Sequence, residues 1–113
     1  MLLPGPGLTI WLYTPAADRR CQIDGLAALT ASKLQETPHN GALYVFTNRR
    51  RTLMKILYYS KGGYCLWSKR LERGQFQRFT EKADKVPLDW TQLQCLIGGL
   101  DWKNMKKNKR YDR

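Results

Sequence analysis

The stretch GALYVFTNRRRTLMKILYYSKGGYCLWSKRL, residues 41–71, decides how the rest of the chain is read. It contains three runs rich in aromatic and branched residues: ALYVF (42–46), TLMKILYY (52–59) and YCLWSKRL (64–71). Each has the composition of a β-strand. The connections, TNRRR and SKGG, are too short for anything but neighbouring antiparallel strands, so the sequence predicts a meander. Gly62 and Gly63 suit a tight hairpin turn, where positive φ is needed.

Working outward, LTIWLY (8–13) reads as another strand, closed by Thr14-Pro15. RGQFQRF (73–79) is the candidate for a further strand. Between the first strand and the meander, DRRCQIDGLAALTASKL (18–34) sets Ile23, Leu26, Ala27, Thr30 and Leu34 at helical spacing. Asp18 or Asp24 would lie near the positive end of that helix, with Asp18 the expected cap. Gly25 costs a helix about 1 kcal/mol relative to Ala, which close packing against a sheet would explain. ETPHNG (36–41) reads as a loop, and EKADKVP (81–87) breaks the pattern. DWTQLQCLIGGL (89–100) is the clearest helix. Asp89 followed by Gln92 resembles a capping box. Leu93, Leu96, Ile97 and Leu100 form one stripe, and Gly98-Gly99 supplies an end. The fold predicted is one α+β domain over residues 1–102. An antiparallel four- to five-stranded meander sheet carries helices over 22–34 and 89–98, both packed on one face. Residues 103–113 form a basic, disordered tail.

The chain has 113 residues, 20 Lys or Arg against nine Asp or Glu, and a formal net charge of +11. A chain of this length buries nearly two-thirds of its unfolded surface, roughly, and can build a core without staples. The charge speaks to partners rather than to fold. It is also uneven: residues 49–82 hold ten basic residues against Glu72 and Glu81, and the last thirteen residues hold six. Three adjacent arginines, Arg49, Arg50 and Arg51, at a hairpin tip repel one another, and each can fork onto a phosphate. Nucleic acid is therefore the first partner class, ahead of a membrane surface. The start, MLLPGPGLTIWLY, is interrupted by Pro and Gly and has no basic lead, so neither a signal peptide nor a membrane span is expected, and the location expected is cytoplasmic. Most of the aromatics Tyr58, Tyr59, Tyr64, Trp67, Phe76 and Phe79 are expected to build the sheet and its core.

Catalytic chemistry has little to work with. Asp18, Asp24 and Glu72 are the carboxylates that could hold a metal pair, but Asp18 is read as a cap and Glu72 sits among basic residues. Cys21, Cys65 and Cys95 are widely spaced, and the one histidine, His39, completes neither a metal cluster nor a Cys–His pair. The reading is of three free thiols, no cofactor, no metal and no enzyme.

Three segments carry a resemblance: DGLAAL (24–29), GALYVFTNRRRTLMKILYY (41–59) and GYCLWSKRLERGQF (63–76). They resemble the accessory protein of insertion-sequence-66-type transposons, the TnpB of those elements. It is a different protein from the RNA-guided nuclease that shares the label. Asp18 and Arg20 fit that family's Asp-x-Arg segment. Phe46, Asn48, Arg49 and Arg50 fit its Phe-x-Asn-Arg-Arg loop. Lys69 through Gly74 fit its Lys-Arg-Leu-Glu-Arg-Gly run. The chain departs at Cys21-Gln22, where the family has Lys-Gly, and at Tyr59-Ser60, where it has Trp-Asp. The resemblance implies a helper in DNA transposition, acting beside the element's separate transposase. Joined to the charge, it leads to the expectation of DNA contact, at element ends or non-specifically, through Arg49, Arg50, Arg51, Lys55, Lys69, Arg70 and Arg73. The alternative is an adaptor that binds the transposase with little direct DNA contact.

Overall fold

The structure, a computed structural model, describes residues 7–79, 81–101 and 106–107. The element order is β1 (Ile10–Tyr13), α1 (Ile23–Ser32), β2 (Leu43–Thr47), β3 (Leu53–Ser60), β4 (Gly63–Arg70), β5 (Lys85–Leu88), α2 (Trp90–Gly98), β6 (Leu100–Asp101) and β7 (Lys106–Lys107). Strands β1 to β5 form one sheet in the order β4-β3-β2-β1-β5, and β6 pairs with β7. The α+β class and the meander β2-β3-β4 stand as read from the sequence.

Three features differ from that reading. The fifth strand is Lys85–Leu88, beginning inside the stretch taken as a break, while 73–79 forms no strand. Residues 71–79 instead fold back over the sheet. The Leu71 N–H donates to the Thr52 carbonyl and the Phe76 N–H to the Arg51 carbonyl, and Phe76 is fully buried. Second, β1 pairs with β2 in parallel, in register Ile10↔Leu43 through Leu12↔Val45. Parallel neighbours need a crossover, and α1 is that crossover. Third, the helices lie on opposite faces rather than on one. Leu93 and Leu96 of α2 pack with Ile10, Leu12, Val45, Met54, Ile56 and Tyr58. Leu26 of α1 packs with Tyr13, Tyr44, Phe46 and Leu57. The physical reason is visible in β2, where Leu43, Tyr44, Val45 and Phe46 are all at most 1% exposed. A strand without a solvent face needs a layer on each side.

The helix ends also separate into a strong one and a weak one. Asp89 caps α2 as expected. Its side chain accepts the Gln92 N–H at 2.7 Å, and the Gln92 side chain accepts the Asp89 N–H at 2.9 Å. Gly99, at φ 81°, ends the helix in the left-handed conformation. Helix α1 starts at Ile23, as expected, and ends two residues earlier than expected, at Ser32; its N-cap, Gln22, makes no side-chain cap bond. Asp18 is turned away to Arg20 instead. Gly25 approaches not the sheet but Cys21, whose Sγ would lie 3.4 Å from an added Cβ. The β3–β4 turn is Lys61-Gly62, both at positive φ (51° and 84°), one residue earlier than the glycine pair suggests. All three cysteines are free thiols. The expected tail, 103–113, lies outside the described residues except for Lys106 and Lys107 in β7.

The unequal caps have measurable consequences. Asp89→Ala is expected to lower unfolding stability by about 1–2 kcal/mol. Gln22→Ser gives α1 the cap it lacks, and is expected to raise stability by roughly 1 kcal/mol. Urea denaturation midpoints at constant slope check both.

Candidate nucleic-acid interface

The basic residues of the hairpin region gather at one end of the sheet, and the backbone explains why. The β2–β3 connection is held by Asn48. Its Oδ1 accepts the Thr52 and Leu53 N–H groups at 2.9 and 3.0 Å, and its Nδ2 donates to Thr52 Oγ1 at 3.2 Å. The Arg51 N–H returns to the Asn48 carbonyl at 3.0 Å, with Arg51 in left-handed backbone at φ 57°. This loop points Arg49 and Arg50 into solvent. Arg51 points back instead, donating from Nη1 to the Phe76 carbonyl at 3.3 Å. Burial first, and then the charge of Arg78, push its guanidinium below its ordinary pKa. Gln75 Nε2 adds a 2.8 Å bond to the Arg50 carbonyl, so with the Phe76 N–H on the Arg51 carbonyl the tip is tied to residues 71–79 by three hydrogen bonds.

Beside the tip, on the α1 face, an open cleft of about 1020 Å³ separates the hairpin from the β1–α1 segment. Its basic lining is Arg19, Arg49, Arg50, Lys55 and Arg70, with Gln22, Asn48, Thr52 and Ser68 among the polar groups. The cleft lies beyond Tyr13 and Thr47, the carboxyl ends of the parallel pair β1 and β2. Chains leaving two parallel strands in different directions open a crevice there, the usual ligand position of open α/β sheets. The N-terminus of α1 opens onto the same space through Gln22.

Lys55 holds one wall in place. It is 8% exposed, and its ammonium donates to the carbonyls of Arg19, at 3.0 Å, and Cys21. A buried ammonium is tolerated only when it is hydrogen-bonded, and here the acceptors are main-chain groups of the segment that carries Arg19. The Ala17 N–H bonded to the Thr47 carbonyl at 2.9 Å fixes the same segment to β2. Asp18, the one acidic residue of the lining, is occupied. Arg20 grips its carboxylate through Nε at 3.1 Å and Nη2 at 2.9 Å, and those bonds hold it well below the usual carboxylate range. Arg20 pairs with Asp18 and Lys85 with Glu36, while Arg19, Arg49, Arg50 and Arg70 form no salt bridge among the described residues; the nearest acid, Asp18, is shared in charge with Arg19 but bonded to Arg20.

The seven residues singled out from the sequence therefore divide. Arg49, Arg50 and Arg70 come together at the cleft, and Arg73 is exposed just beyond β4. Arg51 and Lys55 are bonded into the fold. Lys69 lies on the opposite face, where Nζ donates to the Ile97 carbonyl at 2.9 Å, near the negative end of α2. Sequence reasoning missed Arg19 and Gln22. The signal for them was the order strand, helix, strand, which requires a crossover and puts the residues after the first strand beside those after the second. The aromatics follow the packing expectation in part. Tyr58 and Phe76 are buried, while Tyr59, Tyr64, Trp67 and Phe79 are half-buried.

Of the carboxylates weighed for metal binding, Asp18 is paired with Arg20, Asp24 lies in the first turn of α1, and Glu72 is exposed. Among the described residues no three His, Cys, Asp or Glu side chains converge, and no helix is long and apolar enough to cross a membrane.

Comparison with known proteins agrees with the resemblance read from the motifs. The profile of the family described as IS66 Orf2 like protein matches residues 8–107. Two similar proteins come from Sinorhizobium fredii (strain NBRC 101917 / NGR234), where they carry the names uncharacterized protein y4hO and uncharacterized protein y4jC. The first is 32% identical over 110 residues, covering 97% of this chain and 96% of its own length. The second is 32% identical over 107 residues, covering 95% and 92%. No solved structure matches the chain. With its five-stranded sheet and both flanking helices inside the matched span, the chain belongs to the IS66 Orf2 like family, and its role is that of an accessory protein in transposition.

Proposed function

We propose that this protein assists a separate transposase by binding DNA without cleaving it, using the cleft at the carboxyl ends of β1 and β2. The observation that carries the reading is the set Arg19, Arg49, Arg50 and Arg70, none of them in a salt bridge among the described residues, on one concave surface. Unpaired guanidinium groups held close together raise the folded state's own repulsion. A polyanion relieves that repulsion, and each guanidinium can fork two hydrogen bonds onto one phosphate. Arg73 extends the surface at its rim. Lys55 acts as a positioning residue, holding the Arg19 segment against the sheet.

The test is a salt series on duplex DNA, with element-end sequence compared against random sequence. Four phosphates engaged by the cleft give a slope of log K against log salt of about −3.6. Arg49→Glu with Arg50→Glu is expected to flatten that slope by about 1.8 units, while stability stays within about 0.5 kcal/mol. Arg19→Glu is expected to flatten it by about 0.9. An unchanged slope in the double variant refutes the reading. A chain that ignores free DNA and binds transposase with little salt dependence supports the adaptor reading instead.

Lys55→Met separates positioning from contact. It leaves the Arg19 and Cys21 carbonyls without their donor, and is expected to cost about 1–3 kcal/mol of stability. At temperatures where the variant stays folded, its salt slope is expected to fall by less than that of Arg19→Glu. Denaturant unfolding and the salt series on one preparation give both numbers.

A further inference from the structure

The two edges of the main sheet are built differently. Edge strand β5 has four residues and carries Pro87, which has no N–H to offer an incoming strand. Edge strand β4 has eight residues, Gly63–Arg70, with no proline. The phase of its pairing follows from the Lys61-Gly62 turn, which closes on the Ser60↔Gly63 pair. In a two-residue hairpin the closing pair exchanges both hydrogen bonds, and every second pair does so after it. The Leu71 N–H bond to the Thr52 carbonyl confirms the phase at the far end. The main-chain groups of Tyr64, Leu66, Ser68 and Arg70 therefore point outward. Among the described residues no hydrogen bond from outside the strand reaches them. The same strand leaves Tyr64, Cys65, Leu66 and Trp67 half-exposed. A long edge with apolar side chains and open main-chain groups is a template for another strand.

We infer that β4 pairs antiparallel with β4 of a second copy, joining two five-stranded sheets into one of ten strands. Charge selects the orientation. Parallel pairing would set Lys69 against Lys69 and Arg70 against Arg70. Antiparallel pairing centred on Trp67 sets Leu66 opposite Ser68 and Arg70 opposite Tyr64. The two Arg70 positions are then six residues apart, roughly 20 Å along the strands, beyond the Debye length of about 8 Å at physiological salt. This register uses all four outward residues of each copy, whereas centring on Lys69 would oppose two ammonium groups. Trp67 meets its counterpart on the two-fold axis, at a non-hydrogen-bonded pair where side chains approach most closely. Side chains of residues 66, 68 and 70 stay on the α1 face in both copies. The two clefts, each lined by Leu66, Ser68 and Arg70, therefore open on the same side of the joined sheet. The inference stands on strand geometry and does not depend on what the cleft binds.

Sedimentation equilibrium and amide hydrogen exchange on the full chain, without DNA, test it together. The expected mass rises from one to two chain masses with concentration. Over the same range the Leu66 and Ser68 amides change from fast to at least tenfold slower exchange, while Cys65 and Trp67 stay protected throughout. Ser68→Pro removes an outward N–H and leaves the β3–β4 ladder its bonds; it is expected to remain monomeric with an unchanged far-ultraviolet spectrum. The inference is overturned by a wild-type chain that stays monomeric to tenth-millimolar concentration with fast Leu66 and Ser68 amides. It is equally overturned by a dimer whose outward amides stay fast, or by slowing that appears only when a different protein is added.

Discussion

Strand β2 has no face toward water. Four successive side chains, Leu43 to Phe46, are buried alternately above and below the sheet, and both helices and the 71–79 segment are arranged to cover them. Helix α1 covers Tyr44 and Phe46; helix α2 and the 71–79 segment cover Leu43 and Val45. The chain reaches the first of these layers only by passing over the sheet between β1 and β2, which makes that pair parallel. A crevice then opens where the two strands end and their continuations diverge. The placement of the basic cleft is thus a consequence of how one strand is buried.

Electrostatics at that end of the sheet is managed by main-chain acceptors rather than by acids. Lys55 is satisfied by two carbonyls and Arg51 by the Phe76 carbonyl. Carbonyl dipoles stabilise a cation without cancelling its charge. The structural cations are therefore held in place while the local field stays positive, and the field at Arg19, Arg49, Arg50 and Arg70 is reinforced from below. Asp18, the acid that could offset it, is held by Arg20.

Much of this was legible in the residues. The three meander strands, the Asp89–Gln92 capping box and the Gly99 stop follow from local chemistry, which acts over a few positions and leaves a local trace. The helix faces were not legible through periodicity, because alternation cannot show a strand that is apolar on both sides. ALYVF did carry the relevant signal: an unbroken apolar run marks a sheet covered twice. The β5 strand escaped because KVPL contains a proline, and proline is tolerated there only because the strand is an edge. Asp18 was misplaced because a capping residue and a salt-bridging one have the same one-letter code, and Arg20 two positions on decides between them. For the candidate site, the arginine run was plain in the sequence. Which cations serve the fold and which face outward depends on contacts up to 36 positions apart, such as Lys55 with Arg19.

The Asn48 loop divides shape from chemistry. Its turn is set by the Asn48 side chain, the Thr52 hydroxyl and the left-handed backbone at Arg51, and its anchorage by Phe76 and Gln75. Arg49 and Arg50 contribute no side-chain bond to any of this. Two adjacent positions at the tip can therefore change identity while the curve of the chain around them is preserved. The fold thus asks nothing of the two arginine side chains themselves, so their presence at the tip answers to what the loop meets rather than to how it is built.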